Sequence, residues 1–321
     1  ADSLTQLSAN LTTLPSSHDP ENGFTIPRVA MAVGAFDQLE TILGKMHLGA
    51  VNSMGGFEPG NGAEVDIWLN GGCCYDDVAL GTLTELVNDL TKMLEYHIIF
   101  IPCSVDEQSG ALRDPAVLAN LRTFVSAGGK LYVTDWSGEW HDNVFPAQIE
   151  LGGGGTDTPA EAYDSETGEW DSHLFGHADG EDYDTPNAEA VDSDLAQWLD
   201  GQVGPTAESD QSSTYDASSF EIVGNWNFIE SVSTVQVGHT PGGDPIFNEP
   251  HIFVIGGSDE EPLPKRPLTV TYEPAGCGRV LYSTYHTTDE LHAGLVPQER
   301  VLLYLIMEIG LCTDPKLQTM E

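Results

Sequence analysis

The residues of this chain whose types and positions could support nucleophilic catalysis are Ser137 and His286. A serine hydroxyl becomes a nucleophile when a neighbouring histidine accepts its proton and a carboxylate orients that histidine. Each of the two residues follows an apolar segment typical of a strand, so both could lie at one edge of a sheet. Asp289 or Glu139 could then orient the base. Because the local sequence DWSGE lacks the GxSxG pattern of a nucleophile elbow, hydrolysis is our alternative hypothesis.

Two acidic stretches, residues 164–171 and 179–184, have the composition of calcium-binding loops. Calcium takes about six to eight oxygen ligands, and carboxylates that alternate around a glycine turn can supply several of them. Neither stretch has the spacing of an EF-hand, and the first could equally be a hairpin turn with a solvated acidic edge. The predicted calcium ligands are Asp164, Glu166, Glu169, Asp171, Asp179, Asp182 and Asp184.

Three histidines, His141, His173 and His177, lie near carboxylates in the sequence. Together with Asp142 or Asp179 they could hold zinc or another transition metal. The sequence GHADG around His177 is a poor helix, however, so we favour loop histidines that are solvated or hydrogen-bonded.

Three tryptophans, Trp136, Trp140 and Trp170, could act as stacking platforms of a carbohydrate-binding module. Large aromatic side chains are more often part of a core, and packing in the core is the interpretation that we favour.

The distribution of charge divides the chain more sharply than any short motif. The 321 residues carry a formal net charge of −40, and the segment from Leu131 to Pro264 holds 28 Asp and Glu but no Lys or Arg. Such a segment repels itself unless cations neutralise it, so we expect bound calcium, a high-salt habitat or a basic partner. The scarcity of basic residues argues against binding to nucleic acid or to anionic membranes. No apolar run approaches the ~20 residues that span a bilayer.

The five cysteines have neither zinc-finger nor CxxC spacing. We predict one disulfide between Cys277 and Cys312, and a second between Cys103 and either Cys73 or Cys74. A bridge between the adjacent Cys73 and Cys74 is the rarer option, and five reduced thiols in a cytosolic protein remain an alternative. The acidic, Lys-poor composition favours an oxidising, extracellular setting. The small, polar first residues resemble a mature end left after cleavage, which agrees with secretion.

Apolar segments alternate with amphipathic ones over the first part of the chain, which is typical of a parallel sheet covered by helices. We predict strands at residues 28–33, 65–69, 97–102 and 130–135, and helices at residues 35–46, 82–95 and 115–127. The alternation stops after residue 150. It resumes with predicted strands at 268–272 and 279–284 and a closing helix at 297–311.

The predicted fold is therefore α/β, a flavodoxin-like doubly wound parallel sheet with an acidic, partly β insertion. The predicted divisions are an N-terminal extension (1–27), the first part of the core (28–150), the acidic insertion (151–264) and the last core strands with the C-terminal helix (265–321).

Two passages carry a resemblance to a known family. Residues 121–133 read LRTFVSAGGKLYV and residues 276–286 read GCGRVLYSTYH. They are similar to the "rdFVeaGGgl" and "GkGRVfY…H" passages of the class I glutamine-amidotransferase-like superfamily, nearest to its trehalose-utilisation-type branch. The resemblance covers residues 28–150 and 265–312, about half of the chain.

The resemblance implies a catalytic cysteine on a tight elbow after the strand that ends near residue 135. Aligning Gly138 with the family's glycine places Trp136 at the nucleophile, and Ser137 lies one residue out of register. His286 falls near the family's catalytic histidine, but position 288, where the family has an acid, is Thr. The resemblance therefore implies a catalytically degenerate member.

We expect a non-catalytic, secreted or cell-surface bacterial protein that binds calcium. Its acidic insertion would mediate self-association into a homo-oligomer, or contact with a matrix or carbohydrate partner. The alternatives are a secreted hydrolase using Ser137 and His286, and a carbohydrate-binding module.

Overall fold

The computed structural model describes residues 18–19, 21, 26–60, 63–72, 74–104, 110–152, 163–164, 169–170, 183–201, 216–257, 265–276, 278–287 and 294–308. Among the helices of these residues, none is long and apolar enough to cross a membrane.

The strands of the described residues are β1 (Val29–Val33), β2 (Ala50–Val51), β3 (Phe57–Glu58), β4 (Val65–Leu69), β5 (Ile98–Ile101), β6 (Lys130–Thr134), β7 (Ile149–Leu151), β8 (Tyr163–Asp164), β9 (Glu169–Trp170), β10 (Tyr183–Ala190), β11 (Phe220–Asn225), β12 (Ile229–Val232), β13 (Val235–His239), β14 (Pro245–Asn248), β15 (His251–Gly256), β16 (Arg266–Ala275) and β17 (Gly278–Ser283). The α-helices are α1 (Leu39–Leu43), α2 (Leu83–Asn88), α3 (Leu90–Met93), α4 (Pro115–Ser126), α5 (Glu139–Asp142), α6 (Ser193–Asp200) and α7 (Pro297–Glu308). A π-helical turn (Gly44–Leu48) and two 3₁₀ turns (Gly110–Arg113 and Asp135–Gly138) complete the helical elements.

Nine strands form one sheet in the order β11-β10-β15-β16-β17-β6-β5-β1-β4. The strands β4, β1, β5, β6 and β17 are parallel to one another. The next four pairs, β17–β16, β16–β15, β15–β10 and β10–β11, are antiparallel. The α/β class is therefore confirmed. The sheet is mixed rather than wholly parallel as predicted, because β16 pairs antiparallel with β17. Strands β15, β10 and β11 of the acidic insertion extend the sheet beyond β16.

The strand order places a crevice at the carboxyl edge of the parallel half. Strand β1 lies between β4 and β5, so the chain leaves β1 first to one side and then to the other. Loops that follow two such strands separate, and ligands bind in the gap between them in open α/β sheets.

Helices cover both faces of the parallel half. The side chains of β1 alternate, with Met31 in the cluster that includes α1, α6 and α7, and Ala32 in the cluster that includes α2, α3, α4 and α5. Every residue of β1, β5 and β17 is buried, which is the pattern of strands covered on both sides.

The helix boundaries follow from local capping. The Asp114 side chain accepts a hydrogen bond from the Ala116 N–H at 2.8 Å, and Pro115 occupies the first position of α4, as the sequence predicts. The prediction of a single helix at residues 82–95 is wrong in one respect, because Asp89 interrupts it and two short helices form instead. The Asp89 side chain accepts from the Lys92 N–H at 3.1 Å and caps a separate helix, α3.

Candidate functional site

The sharp turn at the carboxyl end of β6 is centred on Asp135, whose φ is +46°. A residue other than glycine seldom has positive φ, and residues held in such conformations cluster at functional sites. Asp135 is fully buried, and its carbonyl oxygen accepts a hydrogen bond from the Tyr282 hydroxyl at 3.0 Å. The residue on the elbow is therefore Asp135, one position before the Trp136 that the family alignment indicates.

The carboxylate of Asp135 lies against the imidazole of His286. Its Oδ2 is 2.6 Å from His286 Nδ1, and its Oδ1 accepts a hydrogen bond from the Trp226 N–H at 2.9 Å. Both side chains are buried, with exposures of 0% and 4%. Asp135 and His286 thus form an ion-pair-capable couple at the carboxyl edge, 151 residues apart in sequence.

Two other segments contact His286, one at its main chain and one at its ring. The side chain of Gln298, at the start of α7, donates from Nε2 to the carbonyl oxygen of His286 at 2.7 Å. Gly224, with φ of +70°, lies over the ring, and a Cβ at this position would come within 2.8 Å of His286 Cε1. A glycine is needed there both for its backbone conformation and for the close approach of the ring.

Burial raises the pKa of Asp135 to about 6, although its hydrogen bond and charge interaction with His286 oppose that rise. In its ionised form the carboxyl can only accept hydrogen bonds. The proton between the two groups then belongs to His286 Nδ1. In a neutral imidazole this makes Nε2 the basic nitrogen, which is the arrangement of a general base oriented by a carboxylate.

Cys103 adds a third chemically active group to the site. One donor atom each of Cys103, Asp135 and His286 lies within 4.8 Å of the others, and all three residues are buried. A sulfur, oxygen and nitrogen set of this kind suits zinc or another transition metal, and three protein ligands would leave one position for water. If a metal is bound, these are the residues that would hold it.

Cys103 reaches this position because the loop after β5 is tied to neighbouring strands. Its N–H donates to the Thr134 hydroxyl at 3.0 Å, and its carbonyl oxygen lies so close to Gly34 that a Cβ there would be 2.1 Å away. Cys103 is a buried thiol, so the predicted disulfide between Cys103 and Cys73 or Cys74 is wrong: the residue faces the carboxyl edge instead.

The other cysteine predictions fall largely outside the described residues. Cys74 is disulfide-bonded. Cys73, Cys277 and Cys312 lie outside the part of the chain that the structure describes, so the pairing of Cys277 with Cys312 stays a prediction.

Asp37, in the loop after β1, connects three segments that border the site. Its carboxylate accepts hydrogen bonds from the Thr134 hydroxyl and from the Thr287 N–H and hydroxyl, at 3.1 and 2.7 Å. Thr287 also accepts from the Gln38 N–H at 2.7 Å. This network fixes the end of β6 and the residues next to His286 against the loop of β1.

Three half-buried aromatic side chains, Phe36, Trp136 and Trp226, lie next to the pair. The ring centroids are 6.5 Å apart for Phe36 and Trp136, 4.8 Å for Phe36 and Trp226, and 5.4 Å for the two tryptophans. Trp226 also contacts the His286 ring, at 5.5 Å. Because each ring keeps part of its surface exposed, this aromatic group could contact an apolar or sugar-like ligand face.

Of the predicted stacking residues whose side chains the structure describes, Trp136 lies in the aromatic group. Trp140 is fully buried, which contradicts its role as a platform and agrees with the favoured core packing. The side chain of Trp170 lies outside the described part of the chain.

The predicted serine triad is not assembled. The Ser137 hydroxyl donates to the Pro102 carbonyl oxygen at 2.7 Å, while His286 pairs with Asp135. Glu139 is buried and accepts from the Asn143 side chain, and Asp289 lies outside the described residues. The elbow turns the side chain of Asp135, rather than that of Ser137, towards the histidine.

The predicted calcium ligands are only partly described. Asp164 and Glu169 pair across the antiparallel strands β8 and β9, as the hairpin alternative predicts, and the residues that connect these strands lie outside the described residues. Asp184 accepts from the Gly224 N–H at 3.3 Å and so supports the glycine that lies over His286. Glu166, Asp171, Asp179 and Asp182 lie outside the described residues.

Of the histidines considered as metal ligands, His141 is buried in α5, with Nδ1 3.2 Å from the Tyr272 hydroxyl. Its neighbour Asp142 is also buried. His173 and His177 lie outside the described residues. The favoured hydrogen-bonded state is thus seen for His141, although in a helix rather than in a loop.

A cavity of about 690 Å³ opens beside this site, at the carboxyl end of β1. Glu40 of α1 lines it and is 4% exposed. Its Oε1 accepts from the Tyr75 hydroxyl at 3.2 Å. Burial, with a smaller contribution from the nearby charge of Asp37, raises the pKa of Glu40 to about 7, against the opposing effect of its hydrogen bonds.

The residues that sequence reasoning missed are Asp135, Cys103 and Trp226. Asp135 carries a signal, since it directly follows an apolar strand, but its neighbour Ser137 has the residue type expected of a nucleophile. Trp226 belongs to the acidic segment, and its sequence holds nothing that places it beside His286.

No protein-family model matches the chain, and no curated protein matches it. Its structure is similar to a ThuA-like protein from Bacteroides uniformis, with 10% identity, a TM-score of 0.41, and coverage of 93% of this chain and 97% of that one. It is also similar to a cytoplasmic protein from Salmonella typhimurium, with 11% identity, a TM-score of 0.37, and coverage of 83% and 90%.

A β-galactosidase from Rahnella sp. is a further match, with 13% identity and a TM-score of 0.34; the match covers 88% of this chain but 32% of that enzyme. Likenesses at these identities and TM-scores assign neither a family nor an activity to the chain.

We predict that Glu40→Gln flattens the pH dependence of stability. The pKa of Glu40 in the folded protein, about 7, lies above its ordinary value of 4.5. The folded state therefore binds this proton more tightly, and the free energy of unfolding falls as pH rises through this window, by roughly 3 kcal/mol. Urea unfolding of both proteins from about pH 5 to about pH 8 measures the difference. Glu58→Gln, at an exposed position of the same cavity, should keep the wild-type slope; a wild-type slope in Glu40→Gln would contradict the prediction.

Proposed function

We propose that this protein is a hydrolase of small substrates in which His286, oriented by Asp135, acts as the general base. The observation that carries the proposal is the 2.6 Å contact between these two buried side chains, made at a positive-φ turn on the carboxyl edge of the sheet. Buried couples of this kind at such an edge are common in active sites. On this proposal the scaffold is a flavodoxin-like, amidotransferase-like sheet whose elbow carries an aspartate.

In the proposed reaction, His286 Nε2 removes a proton from a water molecule as its oxygen attacks the electrophilic carbon of the substrate. The bond from that carbon to the leaving oxygen breaks, and the imidazolium returns the proton to the leaving group. One water is consumed and no other reactant is needed. The ionised carboxylate of Asp135, on Nδ1, stabilises the imidazolium in between.

The aromatic group of Phe36, Trp136 and Trp226 supports a substrate with an apolar or sugar-ring face. The Trp226 ring touches His286, so a ligand stacked on this group would lie next to the base. Aromatic faces stack readily on carbohydrate rings and on other apolar surfaces. We therefore propose small, carbohydrate-derived esters as substrates.

We predict that His286→Gln and Asp135→Asn both lower hydrolysis, each by about a hundredfold or more, because the first removes the base and the second removes its orienting charge. Initial rates on nitrophenyl esters measure the effect, and circular dichroism checks that each variant is folded.

Ser137→Ala is the matched control. Its hydroxyl is engaged by Pro102, so the variant should retain a rate within about threefold of the wild type. If Ser137→Ala abolishes hydrolysis while Asp135→Asn does not, the base acts on a serine and the proposed water mechanism is wrong.

A second proposal rests on the charge of the chain. We propose that the protein is a secreted or cell-surface calcium-binding protein whose acidic segment associates with a second copy or with a matrix partner. The 28 acidic residues between Leu131 and Pro264, with no Lys or Arg among them, support it, since bound cations relieve such repulsion. The predicted Cys277–Cys312 disulfide belongs to this proposal. The calcium-binding proposal is compatible with hydrolysis at the edge of the sheet.

We predict that calcium raises the free energy of unfolding of the chelator-treated protein by about 2.7 kcal/mol when free calcium is about 100 times its dissociation constant. Thermal unfolding with millimolar calcium, compared with sodium chloride of equal ionic strength, measures the shift. Equal shifts from both salts would show that general screening acts alone, and the calcium proposal would fall.

A further inference from the structure

The cavity of about 690 Å³ has the size of a small-molecule site. It lies where the loop after β1 meets α1, the β2–β3 hairpin and the loop after β4. Asp37, on one wall, also holds the residue next to His286, so the cavity borders the candidate site without including either member of the pair.

The lining of this cavity carries negative charge without positive charge. Its acidic residues are Asp37, Glu40, Glu58 and Asp77, and none of its lining residues, all within the described part of the chain, is Lys, Arg or His. Asp37 and Glu40 are buried, whereas Glu58 and Asp77 are exposed. Asp37 accepts hydrogen bonds from two threonines, whereas Glu40 has one buried oxygen that no described residue donates to.

Glu40 is only half satisfied by the protein. Its Oε1 accepts from Tyr75, but its Oε2 is buried and has no hydrogen-bond partner among the described residues. A buried carboxylate oxygen without a partner is costly. A donor that enters the cavity would remove this cost, and a positively charged donor would remove most of it.

The walls of the cavity also suit an organic cation. Phe57 and Tyr75 line it and contact each other edge to face, with centroids 6.4 Å apart. Aromatic rings attract ammonium groups and pack against the attached carbons. Gln38, Thr41 and Asn52 add neutral polar groups. A bare metal ion would use the carboxylates but would leave the aromatic wall without a role.

We propose that this cavity binds a small organic ammonium compound, with the ammonium group donating to Glu40 Oε2 and the carbon skeleton against Phe57 and Tyr75. The site is separate from the Asp135–His286 pair and does not depend on hydrolysis there.

The test uses n-butylammonium chloride as the probe and 1-butanol as its neutral counterpart. Both are titrated into the full-length, isotopically labelled protein, and the dissociation constants are taken from amide chemical shifts, with sodium chloride holding the ionic strength constant. We expect saturable butylammonium binding that shifts amides around Glu40, Phe57 and Tyr75. We expect 1-butanol to bind at least about tenfold more weakly, because it lacks the charge.

Glu40→Gln should weaken butylammonium binding at least about tenfold. Glu221→Gln removes the same charge from an exposed position on β11, outside the cavity, and should bind like the wild type. Equal affinities of the wild type and Glu40→Gln, equal affinities for the two probes, or shifts that do not saturate would each overturn the proposal.

The wild type alone provides an independent test. Butylammonium affinity should rise as pH increases from about 6 to about 8, because Glu40 ionises in this range. The groups that face Glu40 are Asp37 and Tyr75, with Glu58 and Asp77 also on the cavity lining. Affinity that stays constant over this range would contradict the proposal. Loss of hydrolysis in the His286 variant together with intact butylammonium binding would separate the two proposals.

Discussion

The contact between Asp135 and His286 is the interaction on which the rest of the candidate site depends. It requires a left-handed backbone at a non-glycine residue, a carboxylate removed from water and a histidine whose main chain is held by the Gln298 side chain. Each of these features costs free energy on its own. Together they are tolerated because β6 and β17 are adjacent parallel strands, so the residues that follow them must meet at one edge.

The acidic insertion (residues 151–264) contributes residues to this site in addition to extending the sheet. It supplies the Trp226 N–H that satisfies the second oxygen of Asp135, and the Gly224 backbone that lies over the imidazole. Asp184 of β10 in turn accepts from the Gly224 N–H. Since these contacts join β10 and β11 to the carboxyl edge, any cation that orders the acidic segment would also act on the catalytic candidate. On the two proposals, cation binding by the acidic insertion would therefore affect the geometry of the Asp135–His286 pair.

The parallel half of the fold could be predicted from sequence because buried strands such as β5 read as unbroken apolar runs, and because Asp114 and Pro115 mark a helix start. His286 was also predicted, from its place after the last such strand. Asp135 was not predicted, and Cys103 was predicted in a disulfide, since a turn conformation and the side-chain direction that follows from it have no local sequence pattern. Trp226 and Glu40 depend on contacts between distant segments, which only the folded chain defines.

The central claim, that Asp135 orients His286 as a base, is tested most directly by nitrogen NMR of the imidazole in the wild type and in Asp135→Asn. We expect neutral His286 to carry its proton on Nδ1 in the wild type. We expect the pKa of His286 to fall in Asp135→Asn, because the carboxylate no longer stabilises the imidazolium. An unchanged tautomer and an unchanged pKa in Asp135→Asn would show that the two side chains are neighbours without functional coupling, and would contradict the account.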